Sequence, residues 1–137
     1  MTYIPQPLRR QVMEQAQGCC EYCRLRADDN FLAHEIDHIR PEKHGGKTVL
    51  ENLCYCCFDC NRHKGSDVGS FDSETDLLTA FFNPRKQQWR EHFKLDDLWI
   101  VPLTAEGRVT VRLLQMNSED RLIKRAELIP LGFYPCE

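Results

Sequence analysis

A chain of 137 residues with 42% hydrophobic and 28% charged residues fits one domain able to bury a core of its own. No apolar run approaches the roughly 20 residues of a membrane span, and residues 1–10 lack the charged-then-apolar layout of a secretory leader. A cytoplasmic protein without a membrane partner is therefore expected. The formal net charge of -3 neither supports nor excludes a polyanionic partner, because a whole-chain sum hides local patches and omits any bound metal.

The chain reads as three stretches, 1–18, 19–66 and 67–137, with no flexible linker, repeat or low-complexity tract. In the first, Pro5 and Pro7 precede a helix whose Leu8, Val12 and Ala16 share one face, and Gly18 stops it. The second opens on Cys19-Cys20-Glu21-Tyr22-Cys23. Residues 34–39, His-Glu-Ile-Asp-His-Ile, alternate polar and apolar and predict a strand. Pro41 ends it, Gly45-Gly46 marks a turn, and residues 52–56 predict a second short strand. Phe58 to Lys64 predicts a short helix stopped by Gly65. In the third stretch, residues 76–82 predict one or two helical turns ended by Asn83-Pro84, and residues 98–103 a strand. Val109, Leu113 and Met116 form a helical stripe capped by Thr104. Ser118 caps a last helix with Leu122, Ala126 and Ile129 on one face, and Trp89, Phe93 and Trp99 are read as core.

The eight cysteines fall in clusters rather than evenly. Cys20 and Cys23 make one C-x-x-C and Cys57 and Cys60 another, the ligand spacing of a structural zinc site, in which four thiolates close a tetrahedron at about 2.3 Å. Cys19 competes with Cys20, and Cys54 or Cys56 with Cys57, but only Cys20 and Cys57 keep the two-residue gaps. Cys19, Cys54, Cys56 and Cys136 are then read as small buried hydrophobes. The metal would clamp a middle stretch that has few apolar residues of its own.

Asp37 and His38 are adjacent on the predicted strand, so their side chains point to opposite faces. Asn52 follows the Gly-Gly loop, and Asn61, Arg62, His63 and Lys64 follow the last cysteine of the second pair. Between residues 37 and 66, Arg40, Lys43, Lys47, Arg62 and Lys64 outnumber Asp37, Glu42, Glu51 and Asp59 by one. Cys20-x-x-Cys23, Glu35-Ile36-Asp37-His38-Ile39-x-Pro41, Gly45-Gly46, Asn52-Leu53 and Cys57-x-x-Cys60-Asn61-x-x-Lys64-Gly65 together resemble the HNH endonuclease family. The third stretch, with Phe82-Asn83-Pro84-Arg85, Trp89, His92-Phe93 and Gly107-Arg108, is more loosely similar to the tail of short bacterial HNH proteins.

The resemblance implies an α+β fold. A ββα-metal core with structural zinc would be flanked by an N-terminal helix and a mostly helical C-terminal extension. It implies a DNA phosphodiesterase in which His38 is the general base and Asp37 and Asn61 bind one divalent ion, magnesium or manganese by the hardness of oxygen donors. Asn52 would hold the catalytic loop through backbone hydrogen bonds. Many relatives carry histidine where Asn61 stands, which keeps His63 as the competing ligand. Arg62 and Lys64, with Arg40, are the candidate phosphate contacts, which would position a duplex without reading its sequence. His34 is read as a strand-end surface residue. The oligomeric state stays open, a homodimer being the arrangement that suits paired strand cuts.

Two rival readings accompany this one. A zinc-stapled nucleic-acid-binding module that has lost catalysis need not keep Asp37, His38 and Asn61 together, and all three are present. A redox or metal sensor would use the dense cysteines as reactive thiols.

Overall fold

The computed structural model describes residues 3–29 and 32–136. Helix α1, Gln6–Ala16, starts directly after Pro5 and ends where Gln17 and Gly18 both take positive φ. Its face follows the predicted spacing: Val12 and Ala16 are buried, and Leu8 packs beside them.

Strands β1, Glu35–His38, and β2, Leu53–Cys56, pair antiparallel with Asp37 opposite Cys54 and His38 opposite Leu53. Partners in register share a face of the hairpin. Glu35 and Asp37 therefore lie on the side of Cys54 and Cys56, and Ile36 and His38 on the side of Leu53 and Tyr55. The first side faces the larger core, built around the cysteines, Tyr22, Phe82, Phe93, Ile100, Val109, Leu114 and Met116. The second side carries α1, whose Val12, together with Ile4 just before the helix, packs with Leu53, Ile36, Leu50 and Tyr55 in a separate cluster. Helix α2, Phe58–Lys64, follows β2 and stops at Gly65 as the sequence predicts. These three elements make the ββα unit.

Residues 39–52 connect the two strands. Gly46 passes so close to the start of this loop that a Cβ there would stand 1.7 Å from the carbonyl oxygen of Arg40. The Gly-Gly step is thus a demand of the loop's closure, with Gly45 supplying a φ of 84° beside it.

The rest of the chain is α+β, with two further hairpins set among its helices. Strands β3, Gly69–Phe71, and β4, Leu78–Ala80, form the first hairpin. The helical turns expected at 76–82 are replaced by this extended pairing. Asp72 decides the matter: its Oδ2 accepts from Thr75 N at 2.9 Å, and its own N–H donates to Leu77 O, closing the turn that reverses the chain. Helix α3, Trp89–His92, leads into β5, Phe93–Asp96, which the sequence reading did not foresee and which pairs with β6, Trp99–Pro102. Phe93 is buried, but Trp99 is 49% exposed rather than part of the core.

Helix α4, Ala105–Leu113, is capped by Thr104, whose Oγ1 accepts from Gly107 N at 3.1 Å. Helix α5, Glu119–Leu128, begins after Ser118, which sits at the N-cap position without a side-chain bond. Its buried face is Arg121, Arg125 and Leu128, not the expected Leu122, Ala126 and Ile129. The two guanidinium groups are tolerated inside because each is hydrogen-bonded: Arg121 to Leu114 O at 2.8 Å, and Arg125 to Leu98 O at 2.7 Å and Asn117 Oδ1 at 2.8 Å.

The C-terminal segment returns to the start of the middle stretch. Tyr134 Oη donates to Cys23 O at 2.6 Å and Cys136 N to Arg24 O at 2.9 Å. That return brings Cys136 to Cys19, and the two form a disulfide with Cα atoms 5.7 Å apart. They are bonded to each other rather than the separate small hydrophobes expected, whereas Cys54 and Cys56 are free and buried. Among the described residues no helix is long and apolar enough to cross a membrane.

Candidate functional site

Two arrangements flank α2. The first is a sulfur cluster. Cys20, Cys23, Cys57 and Cys60 are all buried and place their sulfurs within 4.8 Å of one another. A tetrahedral ion with metal–sulfur bonds of about 2.3 Å needs sulfurs roughly 3.8 Å apart, and Cys23 Sγ lies 3.7 Å from Cys57 Sγ. The two C-x-x-C turns are built alike. In each, the sulfur of the first cysteine accepts the amide of the second at 3.4 Å, Cys23 N to Cys20 and Cys60 N to Cys57.

Buried sulfurs this close cannot all ionise without a cation. Hydrogen bonds from Cys20, Cys57 and Cys60 pull Cys23 well below the ordinary thiol range, while hydrogen bonding to Cys20 and Cys23 pushes Cys57 up, and burial pushes Cys60 up. Arg121 of α5 answers part of this charge. Its Nη2 donates to Cys60 Sγ at 2.9 Å and lies 3.7 Å from Cys57 Sγ. Burial lowers the pKa of Arg121, but the sulfurs of Cys60, Cys23 and Cys57 outweigh it and hold the guanidinium firmly charged. The residues present fit a tetrahedral metal ion.

This cluster is tied to α2 through Cys60 in its first turn and Cys57 at its start. Cys57 is the N-cap of the helix, and the sulfur that would bind metal is the one that caps Cys60 N. Whatever holds that sulfur also sets the start of the helix.

The second arrangement is a cleft of about 630 Å³ on the other side of α2. Asp37, His38, Glu35, His34 and Asn61 line it, with Gln6, Arg9 and Met13 of α1 along its edge. Two ties lock α2 across β1. Asn61 Nδ2 donates to Glu35 Oε2 at 2.6 Å, and Lys64 Nζ lies 2.8 Å from Asp37 Oδ2 while donating to His38 O at 3.0 Å.

The atoms left over are those a divalent ion would use. Asp37 Oδ2 is buried and taken by the ion pair with Lys64 at 2.8 Å, which leaves Oδ1 as the carboxylate oxygen for a cation. The amide of Asn61 spends an N–H on Glu35, so its oxygen is the atom that remains for a cation. Hard oxygen donors from a carboxylate and an amide suit a hard divalent ion. His38 lies on the opposite face of the strand from Asp37, where its Nε2 is 2.9 Å from Thr48 Oγ1. Asn52 pins the connecting loop at three backbone atoms. It accepts from Arg40 N at 2.9 Å and donates to Arg40 O and Lys47 O, each at 2.9 Å.

The remaining candidates sit elsewhere. His63 is outside the cleft lining, and burial, Arg62 and Arg121 lower its pKa. Lys64, expected at the surface as a phosphate contact, is 1% exposed because its ammonium is consumed by Asp37 and the backbone of His38. Arg62 is exposed and lies over the Phe58 ring at 5.8 Å, and Arg40 is held by His44 O at 2.5 Å. His34 is buried rather than a surface residue, its Nε2 2.9 Å from Leu25 O and its ring against Tyr55. Glu35, which the sequence leaves open between a place behind the ion's ligands and an exposed one, is exposed and bonded to Asn61, while Lys64 as the partner of Asp37 was missed, though the i, i+3 spacing of Asn61 and Lys64 on a short helix was a visible signal.

Residues 20–67 match the sequence family described as HNH endonuclease. This segment is an HNH domain. A Septu protein PtuB of Bacillus thuringiensis is 28% identical over 120 residues, covering 86% of this chain and 44% of that protein. The similarity therefore extends beyond the HNH domain into the flanking helices and hairpins, while the chain spans less than half the length of this curated relative.

Proposed function

We propose that the HNH domain hydrolyses DNA phosphodiester bonds with one divalent ion, and that zinc fills the four-cysteine cluster as a structural ion. The observation that supports this best is the shared cleft, in which Asp37, Asn61 and His38 meet beside an edge open to substrate. Asp37 and the amide oxygen of Asn61 would hold the ion, and Glu35 fixes the amide so that its oxygen stays available. When bound, magnesium or manganese acts as a Lewis acid on the reacting phosphate and the departing oxygen. His63 is not used, because it lies outside that lining.

His38 serves as general base. With Nε2 protonated and donating to Thr48 Oγ1, its Nδ1 keeps a lone pair for a water proton. The water oxygen bonds to phosphorus, its proton passes to Nδ1, and the bond from phosphorus to the 3′ oxygen breaks. Asn52 keeps the loop beneath His38 in one shape, and Lys64 holds Asp37 and the His38 carbonyl in a fixed relation. Residues 1–18 and 67–137 act with the HNH domain as one folding unit, which the packing of α1 on the hairpin and of α5 on the sulfur cluster supports.

The test is a supercoiled-plasmid assay with added magnesium or manganese, comparing the natural protein with His38→Ala and Asn61→Ala. Nicking or linearisation by the natural protein and its loss in both variants is expected. Equal cutting by natural protein and His38→Ala would remove His38 as base, and no cutting under any divalent ion would favour the binding-module reading.

A further inference from the structure

We propose that Arg9 of α1, with Gln6 beside it, forms a phosphate subsite that grips the substrate strand next to the reacting phosphodiester. This rests on the hydrolytic reading above and adds a residue from outside the HNH segment.

Charge is the first argument. The ionised side chains that line the cleft are Glu35 and Asp37 on the acidic side and Arg9 on the basic side. Among the described lining residues Arg9 is the single cation, so a polyanionic strand entering the cleft meets two carboxylates and one guanidinium. The ion at Asp37 would answer the reacting phosphate. A neighbouring phosphate has Arg9 to answer it. The other basic candidates cannot take this place, since Lys64 is buried on Asp37 and neither Arg40 nor Arg62 lines the cleft.

Mounting is the second argument. Helix α1 rests on the same hairpin that carries Asp37 and His38, through Ile4, Val12, Leu53 and the adjoining Ile36 and Tyr55. Arg9 is thus fixed relative to the cleft by a buried apolar contact rather than by a loop. Its own side chain is also restrained, because Nε donates to Ile4 O at 3.1 Å. That bond leaves the two terminal nitrogens of the guanidinium, a planar fork that matches two oxygens of one phosphate.

Binding in the His38→Ala background separates the grip from the chemistry. The probe is a fluorescently labelled random-sequence duplex with magnesium, titrated across a series of salt concentrations. A lost phosphate contact lowers the slope of log affinity against log salt by about 0.9. Arg9→Ala should show that loss, with binding weakened roughly five- to tenfold near 0.1 M salt. Arg9→Gln and Arg9→Lys both keep a donor for Ile4 O, so they remain informative if the alanine variant fails to fold. Lysine should retain the slope and glutamine should lose it. Equal slopes and affinities for the lysine and glutamine variants would overturn the subsite while leaving the nuclease reading intact. Absence of cutting by the natural protein, together with no binding by His38→Ala, would instead remove the reading on which the subsite rests.

Discussion

Replacing Lys64 with methionine tests whether α2 is locked to β1 by charge. The side chain is 1% exposed and lies 2.8 Å from a carboxylate that is 17% exposed. At that distance the attraction is about 6 kcal/mol at an effective dielectric of 20, most of it offset by the desolvation of both groups. The variant keeps the aliphatic stem but leaves Asp37 charged, largely buried and alone. Removing one member of such a pair costs about 3–5 kcal/mol. For a chain of this size that corresponds to a fall of roughly 10–17 °C in Tm. The assay is thermal unfolding followed by circular dichroism, with and without manganese. An ion bound at Asp37 restores the missing positive charge, so the deficit should shrink when manganese is added. A Tm within about 2 °C of the natural protein would refute the idea that this pair carries stability. A deficit unchanged by manganese would refute Asp37 as an ion ligand.

Other consequences follow from the same contacts. Cys57→Ala removes a cluster sulfur and the cap of α2 together, so helical signal and Tm should both decline, whereas Cys57→Ser keeps a capping oxygen and should lose less helical signal; an alanine variant with the natural Tm would contradict this. Arg121→Ala should weaken the affinity of the cluster for a metal ion about 10–100-fold, since it deletes the hydrogen bond to Cys60, and an unchanged affinity in a competition with a chelator would count against that role. Hydrogen bonds from the Arg108 guanidinium hold the Asp72 carboxyl well below the usual carboxylate range. Its stabilising contribution is therefore full above about pH 4 and fades as pH falls through the lowered folded value. The Tm gap between natural protein and Asp72→Asn should narrow below about pH 4. Opening the Cys19–Cys136 bond with a reductant should lower Tm, with a ceiling of about 5 kcal/mol for so long a loop, and Cys136→Ser should be insensitive to the reductant.

The ββα unit was legible because its signals are local. Two C-x-x-C pairs, a glycine stop at Gly65 and polar-apolar alternation across residues 34–39 each act within a few residues, and the observed strands and helix follow them. What stayed hidden depends on partners far along the chain. Arg121 and Arg125 read as the solvent face of α5, because nothing nearby announces a buried sulfur cluster or the carbonyl of Leu98. The disulfide joins residues 117 positions apart, and no spacing rule reaches that far. Residues 76–82 have enough apolar character for either helix or strand, and the choice falls to the turn at Asp72 and the pairing with β3. Lys64 looked like a surface cation for the same reason, since its carboxylate partner lies 27 residues earlier, on β1.

The bond between Cys19 and Cys136 turns nearly the whole chain into a covalent ring. A protease that nicks any single peptide bond between those two residues leaves the fragments joined, and the two sides of the cut stay at high effective concentration. Helix α1 is outside the ring, attached by one strand of backbone at Gly18. A single cut there would leave α1, with Arg9, held to the hairpin by its apolar contacts alone, while the four clustered cysteines, Asp37, His38 and Asn61 stay within the ring.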